Sequence, residues 1–287
     1  MLTCTLMGGL GNQLFQIFAT ISHAIKAHVP FAFLNVESLG GGEGTTKRHT
    51  YWNSLFHRLS PFLKNNFPEL KYVRENGFQY NSFNTQFFMG NDACLHGYFQ
   101  SYMYFQEYYK QIYNLLDIEK QKNDVVKKIK SINPLIDEKF LDKTISLHFR
   151  MGDYKKIQHF HPIMSVNYYT KCLQFIQQKN PDEKFNVLYF CENEDIYDVI
   201  KIVEQLSYAF PKYNFIRASN LLEDWEQILL MGVCSHNIIA NSSFSWWGAY
   251  FNSNPDKIVC YPSVWFGPSA GHNTSDLCPP AWRKIEA

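Results

Sequence analysis

Neither sign of charge is in excess in this chain. Lys and Arg number 27 against 26 Asp and Glu, a formal net charge of +1. No net field recruits nucleic acid or an anionic membrane, so neither is expected as a partner. No apolar run approaches the roughly 20 residues of a membrane span, and no transmembrane segment is expected. The N-terminus enters a β-prone stretch without a basic segment followed by an apolar one, which points to a cytoplasmic protein. None of the seven cysteines forms a CxxC pair, and no histidine spacing resembles a zinc site. An odd count of cysteines fits a reducing compartment rather than a disulfide framework. Asp-x-Asp is absent throughout, which argues against a Mg²⁺ or Mn²⁺ ion bridging nucleotide phosphates, and no metal site is expected. No internal repeat of solenoid period occurs.

What is present is apolar and aromatic. Hydrophobic residues make up 46%, with 24 Phe and 18 Tyr among 287 residues, and charged residues 18%. A chain of this length exceeds what one core usually serves, and two domains are expected, 1–140 and 141–287. Residues 2–7 read as a strand, followed by Gly8-Gly9-Leu10-Gly11-Asn12-Gln13, a helix to about Lys26 and a second strand from Pro30 to Val36. That is the opening of a nucleotide-binding βαβ unit. Its loop lacks the third Gly of GxGxxG and any GK[ST], so neither dinucleotide nor Walker-type binding follows. A Cβ-free backbone at a helix mouth admits an anion closely, but a tight packing turn needs the same glycines. Gly40-Gly41-Gly42-Glu43-Gly44 reads as a loop, and 65–90 is the least legible segment. Leu95 to Ser101 reads as a strand entering a turn, Tyr102 to Leu116 as a helix, and 119–142 as a charged amphipathic helix ending near Asn133-Pro134. The second half alternates strand 143–150, helix 167–178, strand 186–191, a helix after Glu192-Asn193-Glu194-Asp195, strand 214–218, helix 223–233, strand 237–240 and strand 257–261. Such alternation implies an α/β fold, a parallel sheet with helices on both faces.

The strand ending in Leu147-His148-Phe149-Arg150-Met151-Gly152-Asp153-Tyr154 organises the chain. Side chains alternate along a strand, so His148 and Arg150 leave one face while Leu147 and Phe149 pack the other. Ligands of open α/β sheets sit beyond the carboxyl ends of strands, where a guanidinium suits a phosphate. An ordinary surface ion pair between Arg150 and Asp153 is the plainer alternative. Asn241-Ser242-Ser243-Phe244-Ser245 lies where a buried strand meets a helix. Its hydroxyls and first-turn amides form an anion cradle, although one of them serves equally as an N-cap. The acids at 192–195 suit either a metal or, more simply, the first turn of a helix. His159 and His161 form an H-x-H pair in a loop, where surface histidines are commoner than ligands.

Gly8-Gly9-Leu10-Gly11-Asn12-Gln13-Leu14-Phe15-Gln16, His148 to Tyr154, and Ile238 to Trp247 together resemble the α-1,2-fucosyltransferases of glycosyltransferase family 11. Gly97-Tyr98-Phe99-Gln100-Ser101, Tyr168-Tyr169 and Pro280-Ala281-Trp282 fall where that family would place them. The resemblance implies two Rossmann-like domains in a GT-B-type fold, the first carrying the acceptor side and the second binding the GDP-sugar. It also implies GDP-fucose as donor, a galactose-terminated glycan as acceptor, inversion at the anomeric carbon, and no metal or other cofactor. Carried over by position, Arg150 grips the diphosphate with His148 beside it. Gly11, Asn12, Glu192, Asn241, Ser242, Ser243 and Phe244 join the donor site. Asp153 is the expected base, with Glu192 and His161 behind it. Two departures stand out: Met151 where the family has a second Arg, and Gln227 where it has an Asp, leaving Glu226 or Asp224 to contact guanine.

Overall fold

Short apolar strands alternating with helices give a mixed α/β fold with parallel sheets. The computed structural model describes residues 1–40 and 47–287, so the Gly41–Gly44 part of the expected loop lies outside the described residues. The chain divides into two units, Met1–Gln121 with His272–Pro279, and Lys122–Gly271 with Pro280–Ala287.

In the first unit, β1 (Leu2–Cys4) leads into α1 (Leu10–Ala27), then the two-residue strands β2 (Phe33–Leu34), β3 (Ser38–Leu39), β4 (Arg48–His49) and β5 (Leu63–Lys64). β6 (Lys71–Arg74), β7 (Ala93–His96) and α2 (Tyr109–Leu115) follow. The main sheet is parallel and three-stranded, in the order β1-β7-β6. The segment from Pro30 makes only an isolated parallel bridge, Leu2 to Phe31, before β2 turns away to pair with β5. α1 is buried almost all round, including Leu14, Phe15, Ile17, Phe18 and Ile21. The helix expected from Tyr102 breaks into a 3₁₀ turn at Tyr102–Tyr104 and then α2, because Phe105 leaves the helical region with φ −140 and ψ 0. His272–Pro279 joins this unit through Asp276, whose Oδ2 accepts from Tyr80 N at 2.6 Å and whose carbonyl accepts from Ser101 Oγ at 2.7 Å.

The division falls at Gln121 and Lys122, inside α3 (Ile118–Ile132), rather than near residue 140. The rest of α3 belongs with the second unit because Lys122 Nζ donates to the Phe251 carbonyl and Lys128 pairs with Glu226 at 2.6 Å. α4 (Glu138–Leu141) then precedes a regular alternation. It runs β8 (Thr144–His148), α5 (Val166–Lys179), β9 (Asn186–Phe190), α6 (Ile196–Ala209), β10 (Asn214–Arg217) and α7 (Asp224–Met231). β11 (His236–Ile238), α8 (Ser243–Tyr250), β12 (Val259–Pro262) and β13 (Arg283–Ile285) complete it. The sheet is parallel throughout, in the order β10-β9-β8-β11-β12-β13. Counted by chain order within this unit, that is the 3-2-1-4-5-6 arrangement of doubly wound, Rossmann-type sheets. β13 was not expected from the sequence.

The two faces of this sheet separate cleanly. Ile145, Leu147 and Phe149 join Tyr168, Tyr169, Leu173, Val199 and Leu206 in one core, beneath α5 and α6. On the other face, Asn237 Nδ2 donates to Ser146 Oγ at 2.7 Å and to the Met231 carbonyl of α7 at 2.8 Å. The His148 ring lies 5.4 Å from that of Phe244 in α8. The alternation expected at Leu147, His148 and Phe149 is therefore observed. Its consequence is positional: the order in which strands are added to the sheet reverses between β8 and β11, and the ends of both strands reach the point where doubly wound sheets take ligands.

Candidate active site

All five residues of β8 are buried because the strand lies between β9 and β11. The chain leaves it through Phe149, whose N–H still pairs with the Phe190 carbonyl at 2.9 Å, and turns at Gly152. Gly152 has φ +36, and a Cβ there would come within 2.5 Å of Glu192 Oε2. The left-handed conformation favours glycine, and the Glu192 carboxylate tip fills the space beside it. The turn is pinned by Asp195, which is 2% exposed. Its Oδ2 accepts from Gly152 N at 2.6 Å, and its Oδ1 pairs with Lys155 at 2.7 Å. The acids of 192–195 therefore divide their duties. Asp195 anchors the turn after β8, and Glu192 reaches Arg150.

Arg150 carries both of its carboxylates on one guanidinium. Nη1 bonds Glu192 Oε1, and Nη2 bonds Asp153 Oδ1 at 2.5 Å. The Tyr154 ring supports the guanidinium, 4.9 Å from its centre. Burial alone would lower the arginine pKa, but the charges of Glu192 and Asp153 reverse that and raise it. The plain Arg150–Asp153 ion pair weighed from sequence is present, with a second acid added. Burial raises the Tyr154 phenol, whose hydroxyl donates to the Asn241 carbonyl at 3.2 Å. The same ring stacks on His161 at 4.6 Å.

His148 is 8% exposed, and its Nδ1 is buried without a hydrogen-bond partner among the described residues. Burial, helped by the neighbouring Arg150 charge, lowers its pKa to about 3. It is a neutral ring at the floor of the site.

From β11 the chain passes through Asn241 into α8. Ser242 is the N-cap, its hydroxyl accepting from Phe244 N at 3.3 Å. Ser245 is fully buried and turned back on the Ser242 carbonyl, which leaves Ser243 as the partly exposed hydroxyl of the first turn. Asn241 is 1% exposed, and its amide donates to the Pro162 and Trp265 carbonyls, each at 3.0 Å. Its side chain thus clamps two loops beneath the helix mouth.

The acids proposed for guanine have other partners. Glu226 is 5% exposed, paired with Lys128, and closes a capping box with Glu223 at the start of α7. Asp224 accepts from Trp225 N at 2.8 Å, and Gln227 donates to the Leu222 carbonyl at 3.0 Å. His159 packs against Phe160, and among the described residues no group of three or more His, Cys, Asp or Glu is placed to hold a metal.

In the first unit, the glycine loop also lies at the carboxyl edge of its parallel sheet. Gly8 has φ +76 and sits beneath the Asn12 amide, where any Cβ would strike Nδ2. Gly9 is the N-cap of α1, with no side-chain cap, and Gly11 is buried in its first turn. Three glutamines hold the loop. Gln13 donates to the Gly8 and His49 carbonyls, Gln16 joins Met7 N to the Gly97 carbonyl, and Gln100 donates to Asn12 Oδ1 at 2.9 Å. Gln13 and Gln16 lie in the motif the sequence singled out, but their partners lie up to 81 residues away, beyond the reach of local pattern.

Arg150 and the mouth of α8 lie at the switch point of a doubly wound sheet, the place where sheets of this kind take ligands. Residues 59–271 match glycosyl transferase family 11. The chain is 30% identical over 233 residues to the O-antigen biosynthesis glycosyltransferase WbnK of Escherichia coli, covering 80% of this chain and 70% of that protein. It is 26% identical over 303 aligned residues to an α-1,2-colitosyltransferase of Escherichia coli, covering 98% and 97%. Among solved structures it is similar to a mutant of Arabidopsis thaliana FUT1 in complex with GDP, with a TM-score of 0.47 and 10% identity over 95% of this chain and 72% of that one. The chain belongs to glycosyl transferase family 11, and the protein is a glycosyltransferase. No helix among the described residues is long and apolar enough to cross a membrane.

Proposed function

We propose that the protein transfers L-fucose from GDP-fucose to the 2-hydroxyl of a terminal galactose in a glycan, with inversion and without a metal, in a two-domain GT-B-type fold. The observation that carries this reading, beside the family membership, is the placement of Arg150 and the Ser242–Ser243 helix mouth on the neighbouring ends of β8 and β11. Cleavage of the sugar–phosphate bond leaves negative charge on the departing GDP. A guanidinium and first-turn amides, fixed in advance, stabilise that charge. In this reading the donor diphosphate exchanges with Glu192 and Asp153 at Arg150, with His148 and Phe244 as the floor. Asn241 supports the cradle through the loops it clamps. Gly11 and Asn12, at the glycine loop, are also proposed as donor-binding residues. Asp153, once released from Arg150, is the base for the acceptor hydroxyl. A cytoplasmic location accompanies the reading.

The testing experiment is release of GDP from GDP-fucose against a panel of galactosides, with and without EDTA, and product linkage read by NMR. EDTA-insensitive release with an α-1,2 product is expected. Release that depends on added metal, or a different linkage, overturns the corresponding part. The α-1,2-colitosyltransferase relative, matched over almost the whole chain, favours one alternative, a GDP-colitose donor. Parallel assays with GDP-colitose and GDP-fucose separate the two by kcat/KM.

A further inference from the structure

Arg150 is held by two carboxylates and one aromatic ring, and only the carboxylates compete with an incoming anion. The Tyr154 ring supports the guanidinium from 4.9 Å. A cation over an aromatic face is held by the ring's quadrupole, which leaves its N–H groups for oxygen acceptors. Tyr154 is itself fixed by its backbone. It lies in the 3₁₀ turn Gly152–Lys156, where its N–H donates to the Met151 carbonyl at 2.7 Å and its carbonyl accepts from Ile157 N at 3.0 Å. Beside it, Lys155 is tied to Asp195 at 2.7 Å and to Asp198 at 2.9 Å.

The ring end closes a circuit. The Tyr154 hydroxyl donates to the Asn241 carbonyl at 3.2 Å, and the Asn241 amide donates to the carbonyls of Pro162 and Trp265. The residues adjoining those two, His161 and Phe266, pack on one another at 5.4 Å, and His161 stacks back on Tyr154 at 4.6 Å. All of these residues belong to the second unit. The Asn241 carbonyl is part of the peptide that enters Ser242, the N-cap of α8. One side chain therefore meets Arg150, just past β8, with its ring and the entry to α8 with its hydroxyl. Burial raises the phenol pKa, so the hydroxyl keeps its proton at neutral pH and remains a donor.

We propose that Tyr154 is a positioning residue that sets the spacing between Arg150 and the mouth of α8, so that the guanidinium and the first-turn amides meet one sugar–diphosphate together. It goes on supporting Arg150 while Glu192 and Asp153 exchange for the donor. This rests on the donor site proposed above, and Tyr154 itself is assigned no contact with the donor.

The test is a set of variants read as donor kcat/KM and acceptor KM by GDP release. Tyr154→Phe keeps the ring and removes the hydroxyl. It is expected to lower donor kcat/KM by about three- to ten-fold, the effect of losing one hydrogen bond. Tyr154→Leu removes the ring as well and is expected to cost about ten- to one-hundred-fold. Acceptor KM is expected to stay within about two-fold in both. In an Arg150→Ala background the two substitutions are expected to agree within about two-fold, because only the hydroxyl's hold on Asn241 is left to lose. A gap between them that persists without the arginine assigns the ring to general packing and overturns the proposal. So does a Tyr154→Phe donor kcat/KM within about two-fold of wild type, or a loss shared by acceptor KM. That single variant decides the matter if Tyr154→Leu fails to fold. Each of these results leaves the donor assignment standing. A wild-type protein that turns over neither GDP-fucose nor GDP-colitose overturns the underlying reading, and this proposal with it.

Discussion

Arg150 donates to Glu192 across the ends of two adjacent strands, β8 and β9. With Asp153 on its second nitrogen, the guanidinium already holds two carboxylates, with which a diphosphate bound there would compete. The Glu192 side chain is 48% exposed, so its pairing is of the solvent-screened kind worth about 0.2–1 kcal/mol. Glu192→Gln is therefore expected to tighten GDP binding, by up to about five-fold on that scale. Isothermal titration of GDP into both proteins measures it. Weaker binding in the variant would mean that Glu192 itself contacts the nucleotide.

Removing the arginine reverses the field. Arg150→Ala leaves Glu192 and Asp153 facing the diphosphate uncompensated, so the loss should reach or exceed the roughly 10²–10³ in kcat typical of one charge-stabilising donor. Arg150→Lys is not expected to restore it, since a single ammonium lacks the two-pronged fork. A GDP-release assay at saturating acceptor reads both. Substantial turnover in Arg150→Ala would remove Arg150 from the donor site.

Asp153 is 54% exposed and bonded to Arg150 alone among the contacts described above, which suits a carboxylate freed when the donor arrives. As a general base it should be worth about 10²–10⁴ in kcat. Asp153→Asn is expected to lose that much with little change in donor KM. If single-turnover transfer in the variant matches wild type, the acceptor hydroxyl loses its proton elsewhere.

The second unit was largely legible, and the reasons are local. β8 and β9 are central strands whose buried residues run continuously from Thr144 to His148 and from Val187 to Phe190. Their ends carry the motifs, so strand tip and chemistry were read together. β13 escaped because three residues, Arg283, Lys284 and Ile285, carry no period and become a strand only by pairing with β12. β6 escaped because three of its four residues are exposed. The roles of individual site residues were less legible than their location. Asn241 looked like a ligand in sequence, yet its partners are the Pro162 and Trp265 carbonyls, 79 and 24 residues away. Glu226 looked available for guanine, and Lys128, 98 residues away, occupies it. Long-range side-chain pairing leaves no periodic trace.

His148 gives a signed pH prediction. Its folded pKa is about 3, against an ordinary value of 6.5, because burial and the Arg150 charge disfavour the imidazolium. Above pH 6.5 the group is neutral in both states and contributes nothing. Below it the unfolded chain takes up a proton that the folded chain refuses, so stability falls as the pH drops toward 3. At pH 5 the penalty is about 2 kcal/mol, at 1.36 kcal/mol per pH unit. Urea unfolding at pH 7 and pH 5 should show a drop that His148→Gln lacks. An equal drop in the variant would assign the acid sensitivity to other groups.

Lys257 predicts a slope of the same sign on the alkaline side. Its ammonium is tucked against the end of α8, donating to the Ala249 carbonyl at 3.0 Å and the Asn252 carbonyl at 2.5 Å. Lys122, itself 2% exposed, donates to the Phe251 carbonyl at 3.3 Å. Burial first, and the Lys122 charge second, lower the Lys257 pKa from 10.5 to about 8. Below pH 8 both states hold the proton and the folded chain bears the full desolvation. Between about 8 and 10.5 the folded chain releases it while the unfolded chain keeps it, so stability rises with pH. From pH 7.5 to 9.5 the gain from this one group is about 2 kcal/mol. Urea unfolding at those two pH values should show it in the wild type and not in Lys257→Met. The variant should also unfold less readily at pH 7.5 if relief from burying an ammonium outweighs the hydrogen bonds to the Ala249 and Asn252 carbonyls. A wild-type stability that stays flat over this interval would mean that Lys257 titrates as an ordinary solvated lysine.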